Sequence, residues 1–161
     1  MNDIASQRLS LLARTAAAVA ILLLVTGIML NGISSGVLER FWSNLIERPD
    51  GPMKFRFVLQ PLMAAIAAIR DARADARSGR PPWLVEVLGN SEERAQRLRE
   101  GLNATARIIL LGVVVDTVYQ LIALGRFYPA EASVVALALA LIPYVIIRSL
   151  ARQMMPARGT R

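Results

Sequence analysis

The sequence contains no cysteine and no histidine. Those two absences exclude disulfides, thiolate nucleophiles, haem ligation by imidazole and most zinc or copper sites, and leave carboxylates as the only means of binding a metal. No serine has an imidazole to activate it. Gly101, Gly112 and Gly125 stand isolated, so no glycine-rich phosphate loop is present. Lysine is almost missing too. Of 19 basic residues one is Lys54 and the rest are arginines, against 12 acidic residues, for a net charge of +7. Aromatics make up only 6% of the chain and are not interleaved with the basic clusters, which argues against nucleic-acid binding.

Apolar residues are abundant. They make up 55% of the 161 residues, and the mean hydropathy of +0.44 is too high for an ordinary soluble domain. The expected architecture is all-α: one small polytopic helical membrane domain over residues 1–161, with three spans and a short fourth hydrophobic helix at about 57–77. The arginines flank the apolar runs, as in proteins held against anionic lipid headgroups.

Arg8 and Arg14 precede the first run, Ala16 to Leu30, which we read as a retained transmembrane helix rather than a cleaved signal because two further long runs follow. Gly32 and Gly36 beyond it form a GxxxG, a spacing that lets another helix approach closely. Residues 37–56 carry Phe41 and Trp42 and suit an interfacial helix, closed by the breaker Pro49-Asp50-Gly51-Pro52.

Residues 57–69 are thirteen positions without a charge, short for a span, and Pro61 fits the first turn of a helix starting near Leu59. Ala64, Ala68 and Ala72 recur every four residues as a smooth packing stripe. Arg70, Arg73, Arg77 and Arg80 form a basic series, a candidate contact for anionic lipid, with Asp71 and Asp75 spaced for local ion pairs. Gly79 and Pro81-Pro82 end this helix. Trp83 to Leu88 is placed at the membrane interface, and Asn90 or Ser91 caps a short polar helix, Glu92 to Glu100. Residues 70–104 thus form an Arg-rich cytoplasmic loop. The positive-inside tendency also puts the carboxyl terminus in the cytoplasm, and we favour four spans over three because no charge interrupts residues 57–69.

The run from Ile108 to Leu124 holds an acid, Asp116, near its midpoint. A charge at a bilayer centre costs roughly 2.5–3.5 kcal/mol on insertion scales, so the carboxyl must be neutral, paired or turned inward. Asp116, Tyr119 and Gln120 lie at i, i+3 and i+4 and share one helix face. Tyr144, Asn31 or the same helix of another copy could meet that face. After Gly125-Arg126-Phe127-Tyr128-Pro129, the last span runs from Ala132 to Ile147, with a kink expected at Pro143.

Several ordered motifs resemble a widespread group of small, uncharacterised bacterial inner-membrane proteins. They are Arg56-Phe57-Val58-Leu59-Gln60-Pro61-Leu62, Ala68-Ile69-Arg70-Asp71, the stretch Asp75 to Pro82, Val115 to Leu121, Tyr128-Pro129-Ala130-Glu131-Ala132 and Ile142 to Arg148. The likeness covers about residues 54–150 and leaves out the first helix. It implies a bacterial inner-membrane location and supplies no catalytic residue, cofactor or metal.

Two functions fit these residues. One is a non-catalytic accessory or scaffold subunit, packing through its Ala and Gly stripes against itself or a larger membrane complex. The other is a homo-oligomeric ion- or proton-conducting pore, or a small transporter, built on the Asp116 face.

Overall fold

The computed structural model describes residues 9–32, 34–47, 55–89 and 91–155. Among them are six α-helices and no strand: α1 (Leu11–Asn31), α2 (Ser35–Glu47), α3 (Arg56–Arg77), α4 (Trp83–Gly89), α5 (Ser91–Tyr119) and α6 (Pro129–Met154). A π-helical turn, Gln120–Leu124, ends α5. Three helical stretches are long and apolar enough to cross a bilayer: Leu11–Asn31, Glu93–Leu124 and Pro129–Met154. The chain has the architecture of a multi-pass membrane protein.

Helix α1 shows why this composition folds as it does. It starts at Ser10, whose hydroxyl accepts the Ala13 N–H at 3.1 Å, a standard N-cap. It buries Ala13, Ala16, Ala20 and Gly27 and turns Ile21, Leu22, Val25 and Met29 outward. Small residues inside and large apolar ones outside reverse the pattern of a soluble bundle. That inversion is stable where the surroundings are as apolar as leucine, because close backbone approach then holds the helices together. The same device recurs in Ala64, Ala68 and Ala72 of α3 and in Ala132, Ala136 and Ala140 of α6, all fully buried.

Hydrogen bonds fix the helix directions. The Ser10 N–H donates to Asn103 Oδ1 at 2.8 Å, and the Ser133 hydroxyl donates to the Ala20 carbonyl at 2.8 Å. A Cβ on Gly27 would overlap the backbone of Ala130. These contacts make α1 parallel to α5 and antiparallel to α6. Gln60 reaches the Ile108 carbonyl at 3.5 Å while Asp75 meets Arg97, so α3 runs antiparallel to α5. Tyr144 meets Asp71 and Arg148 meets Asp75, so α3 runs parallel to α6. The four long helices therefore alternate in direction. α3 carries the chain back to the charged end, although only its first half is apolar. α6 is the hub, packed against α1, α3, α4 and α5.

Several expectations are corrected. Among the described residues of the subunit the GxxxG meets no other helix: a Cβ on Gly32 or Gly36 would have nothing within 4 Å, and Gly32 has φ of 69° because it leaves the end of α1. Close approach belongs to Gly27 and Gly112 instead, and a Cβ on Gly112 would overlap Gln60 and stand 3.0 Å from that of Ala136. The short polar helix at Glu92 does not end at Glu100 but runs on through Gly101 as α5, because Gly101 is seated against Trp83 and Tyr144. Trp83 is buried within the subunit, its indole N–H donating to the Arg97 carbonyl at 3.1 Å. The breaker Pro49-Asp50-Gly51-Pro52 and the cap at Asn90 lie outside the described residues.

Candidate functional site

Two polar clusters occupy opposite ends of the bundle. The first surrounds Asp116, whose side chain is wholly buried at the centre of its apolar run. Gln120 Nε2 donates to Asp116 Oδ2 at 2.6 Å, within one helix face as the i, i+4 spacing predicts. Gln120 Oε1 in turn accepts the Tyr128 N–H at 2.6 Å, and its amide nitrogen lies 3.4 Å from the Tyr128 carbonyl. One glutamine thus ties the mid-helix acid to the backbone just before α6. The π-helical turn and Gly125, at φ of 61°, bring the chain round to make this possible.

Tyr119 is buried beside this pair, as the shared face requires. The other two expected partners are elsewhere. Asn31 donates to the Gly27 carbonyl of its own helix at 3.1 Å. Tyr144 lies at the far end of α6 and donates to Asp71 Oδ2 at 2.7 Å. Both were expected opposite Asp116 on residue type alone. The antiparallel course of α5 and α6 instead puts Tyr144 near Gly101.

The second cluster is the larger and was not foreseen. Asp75 on α3, 2% exposed, accepts from Arg97 Nη1 of α5 at 2.8 Å through Oδ1. Arg148 of α6 grips the same carboxylate with a fork, Nε to Oδ2 at 2.8 Å and Nη2 to Oδ1 at 3.0 Å. Arg97, fully buried, also lies against Glu86 of α4, and its Nη1 reaches Glu100 Oε2 at 3.2 Å. Glu100 further accepts from Arg80 at 3.1 Å and from Arg148 at 3.3 Å. Arg148 Nη1 donates to the Tyr144 hydroxyl at 2.7 Å, which extends the network to Asp71. Arg152 closes the end by donating to the Arg80 carbonyl at 2.7 Å.

Pairing of this density is what burial demands. An isolated buried charge costs several kcal/mol, and only mutual pairing with excellent hydrogen bonding offsets that cost. Asp75 lies beyond the apolar half of α3. Burial alone would raise its pKa, but hydrogen bonds from Arg148 and Arg97 outweigh burial and hold it below the ordinary carboxylate value.

Of the expected local pairs on α3, Arg70–Asp71 is present, whereas Asp75 turns to longer-range partners. Asp75 serves α5 and α6, and Asp71 accepts from Tyr144 while Arg70 stands 3.8 Å away. The basic series divides accordingly. Arg70, Arg73 and Arg77 are exposed, whereas Arg80 turns to Glu100. A polar cleft of about 390 Å³ opens beside the network between Arg70, Asp71, Glu100 and Asn103. At the other end an apolar groove of about 500 Å³ lies between α1, α2 and the start of α6. There Arg40 of α2 reaches Glu131 at 3.4 Å and covers the Tyr128 ring at 4.2 Å.

Chemically, the network can clamp helices and hold charge. Among the described residues no three carboxylates converge as a metal-binding group. The sequence contained one usable signal for the network. Asp75 is three residues beyond Ala72, on the line extended from the buried stripe Ala64, Ala68 and Ala72, where a solvated residue would not fall. No family model, curated protein or solved structure matches the chain.

Proposed function

We propose that the protein is a non-catalytic integral membrane subunit, an accessory or scaffold that packs against copies of itself or against a larger membrane complex. One observation carries this reading. The acid at the centre of a span is consumed inside a single subunit, where Gln120 binds it and ties it to the Tyr128 backbone. A carboxylate used in this way positions helices. One that lines an axis between subunits would face outward, and the outward positions here are apolar, Val114, Val118, Leu121 and Ile122 among them. The absence of histidine and cysteine from the sequence supports a non-catalytic role.

In the same reading the protein sits in a bacterial inner membrane with four passes and its Arg-rich end in the cytoplasm. Support comes from the alternating helix directions and from Arg77, Arg80, Arg94, Arg99 and Arg152 collecting at the end where α3 and α6 finish.

The test is ion flux through the purified chain in liposomes. No flux above empty vesicles is expected, from the natural protein or from Asp116→Asn. Sustained flux that Asp116→Asn abolishes while assembly is kept would replace the scaffold reading with the conducting pore.

A further inference from the structure

The outward face of α3 carries two kinds of residue in one line. Val58, Leu62 and Ile66 are exposed hydrophobics, and Arg70, Arg73 and Arg77 continue the same strip at spacings of three and four. At about 1.5 Å per residue the apolar part is about 12 Å long and the basic part about 10 Å. Neighbouring arginines in such a strip stand about 5–6 Å apart at Cβ, so two of them can grip one tetrahedral anion from both sides.

These guanidiniums are available. Arg70 is 79% exposed at its side chain, and among the described residues its only carboxylate neighbour is Asp71, 3.8 Å away and already accepting from Tyr144. Arg73 and Arg77 are exposed and pair with no carboxylate among the described residues. Asp75, the acid that would neutralise them from the next turn, is turned inward to Arg97 and Arg148. The buried network thus strips the surface of its counter-charge and leaves a positive strip flush with an apolar one.

We propose that this face seats an anionic phospholipid, with its phosphate between Arg70 and Arg73, Arg77 holding further headgroup oxygens, and its tails along Val58, Leu62 and Ile66. A phosphodiester accepts from a guanidinium fork in two places, and the charge order from apolar to basic along α3 matches that from tail to headgroup. A soluble acidic partner would have no use for the apolar half, and a zwitterionic lipid would set its own ammonium group against the third arginine.

The experiment is native mass spectrometry of the full chain in mild detergent, offered phosphatidylglycerol or phosphatidylcholine at equal concentration. The natural protein is expected to retain the anionic lipid about tenfold more than the zwitterionic one. Inorganic phosphate should not displace it, since the tails hold it too. The variant Arg70→Gln/Arg73→Gln/Arg77→Gln should lose the preference and the single Arg73→Gln should lose part of it. The control Arg94→Gln/Arg99→Gln, which removes two arginines outside the strip, should keep it. Full preference in the triple variant, equal loss in the control, or displacement by phosphate alone would overturn the proposal. If the triple variant does not insert, full preference in Arg73→Gln overturns it on its own.

Discussion

Asp75 and Arg97, 22 residues apart in the chain and on antiparallel helices, meet through a 2.8 Å charge-assisted hydrogen bond with almost no access to solvent. Because Arg148 holds the same carboxylate, removing it leaves two buried guanidiniums without their shared anion. Asp75→Ala is expected to destabilise the folded protein by about 3–5 kcal/mol. Thermal unfolding in detergent micelles, followed by circular dichroism, measures this. A loss below about 1 kcal/mol would mean that water or Glu100 compensates both arginines.

The same residue sets an acid limit. Its native pKa is held below the ordinary value, so its contribution is fully present above about pH 3.9 and is lost as pH falls from there through the depressed native pKa. Midpoint temperatures of the natural protein should fall steeply once pH drops below about 4, and those of Asp75→Asn should fall less there. Parallel curves would remove Asp75 from the acid transition.

At the other cluster the glutamine matters more than the acid. Gln120→Leu leaves the Tyr128 N–H without its acceptor and is expected to cost about 1–3 kcal/mol. Asp116→Asn still offers an amide oxygen to Gln120 and should cost less than about 1 kcal/mol, near the average for polar pairs within membranes. Unfolding by graded denaturing detergent ranks the two variants. The reverse order would make Asp116, not the link to Tyr128, the important group.

Glycine substitutions separate true close approaches from apparent ones. In Gly112→Ala the new methyl must displace the Gln60 amide and press on Ala136, and overpacking of this kind costs about 1–3 kcal/mol. Gly36→Ala meets nothing and should be neutral or slightly stabilising. Thermal midpoints of the pair settle whether the GxxxG spacing has any packing role within the subunit.

Which parts could be read from the chain follows from the range of the interactions. The helices, the buried Ala64/Ala68/Ala72 stripe and the Asp116/Gln120 pair depend on residues within a few positions of each other, so helical spacing reveals them. Tyr144 was expected near Asp116 because type and apolar context favoured it, yet the direction of α6 decides its depth, and direction is set by contacts such as Ser133 to Ala20 across 113 residues. The Arg97 network was hidden for the same reason. Asp75 and Arg148 are 73 residues apart, and Glu86 sits in a short apolar stretch where it resembles a surface residue. Arg97 looked like one more base on a polar helix until α3, α4 and α6 closed round it.

The central claim is that this chain serves as a packing subunit, and the mass of what it travels with addresses that most directly. Purification in a gentle detergent followed by mass measurement of the intact particle is expected to show additional, different subunits, or a small assembly without a closed axis lined by Asp116. A closed ring built from this chain alone, with the mass of a fixed number of copies and the Asp116 helices around its axis, would contradict the account and support a pore.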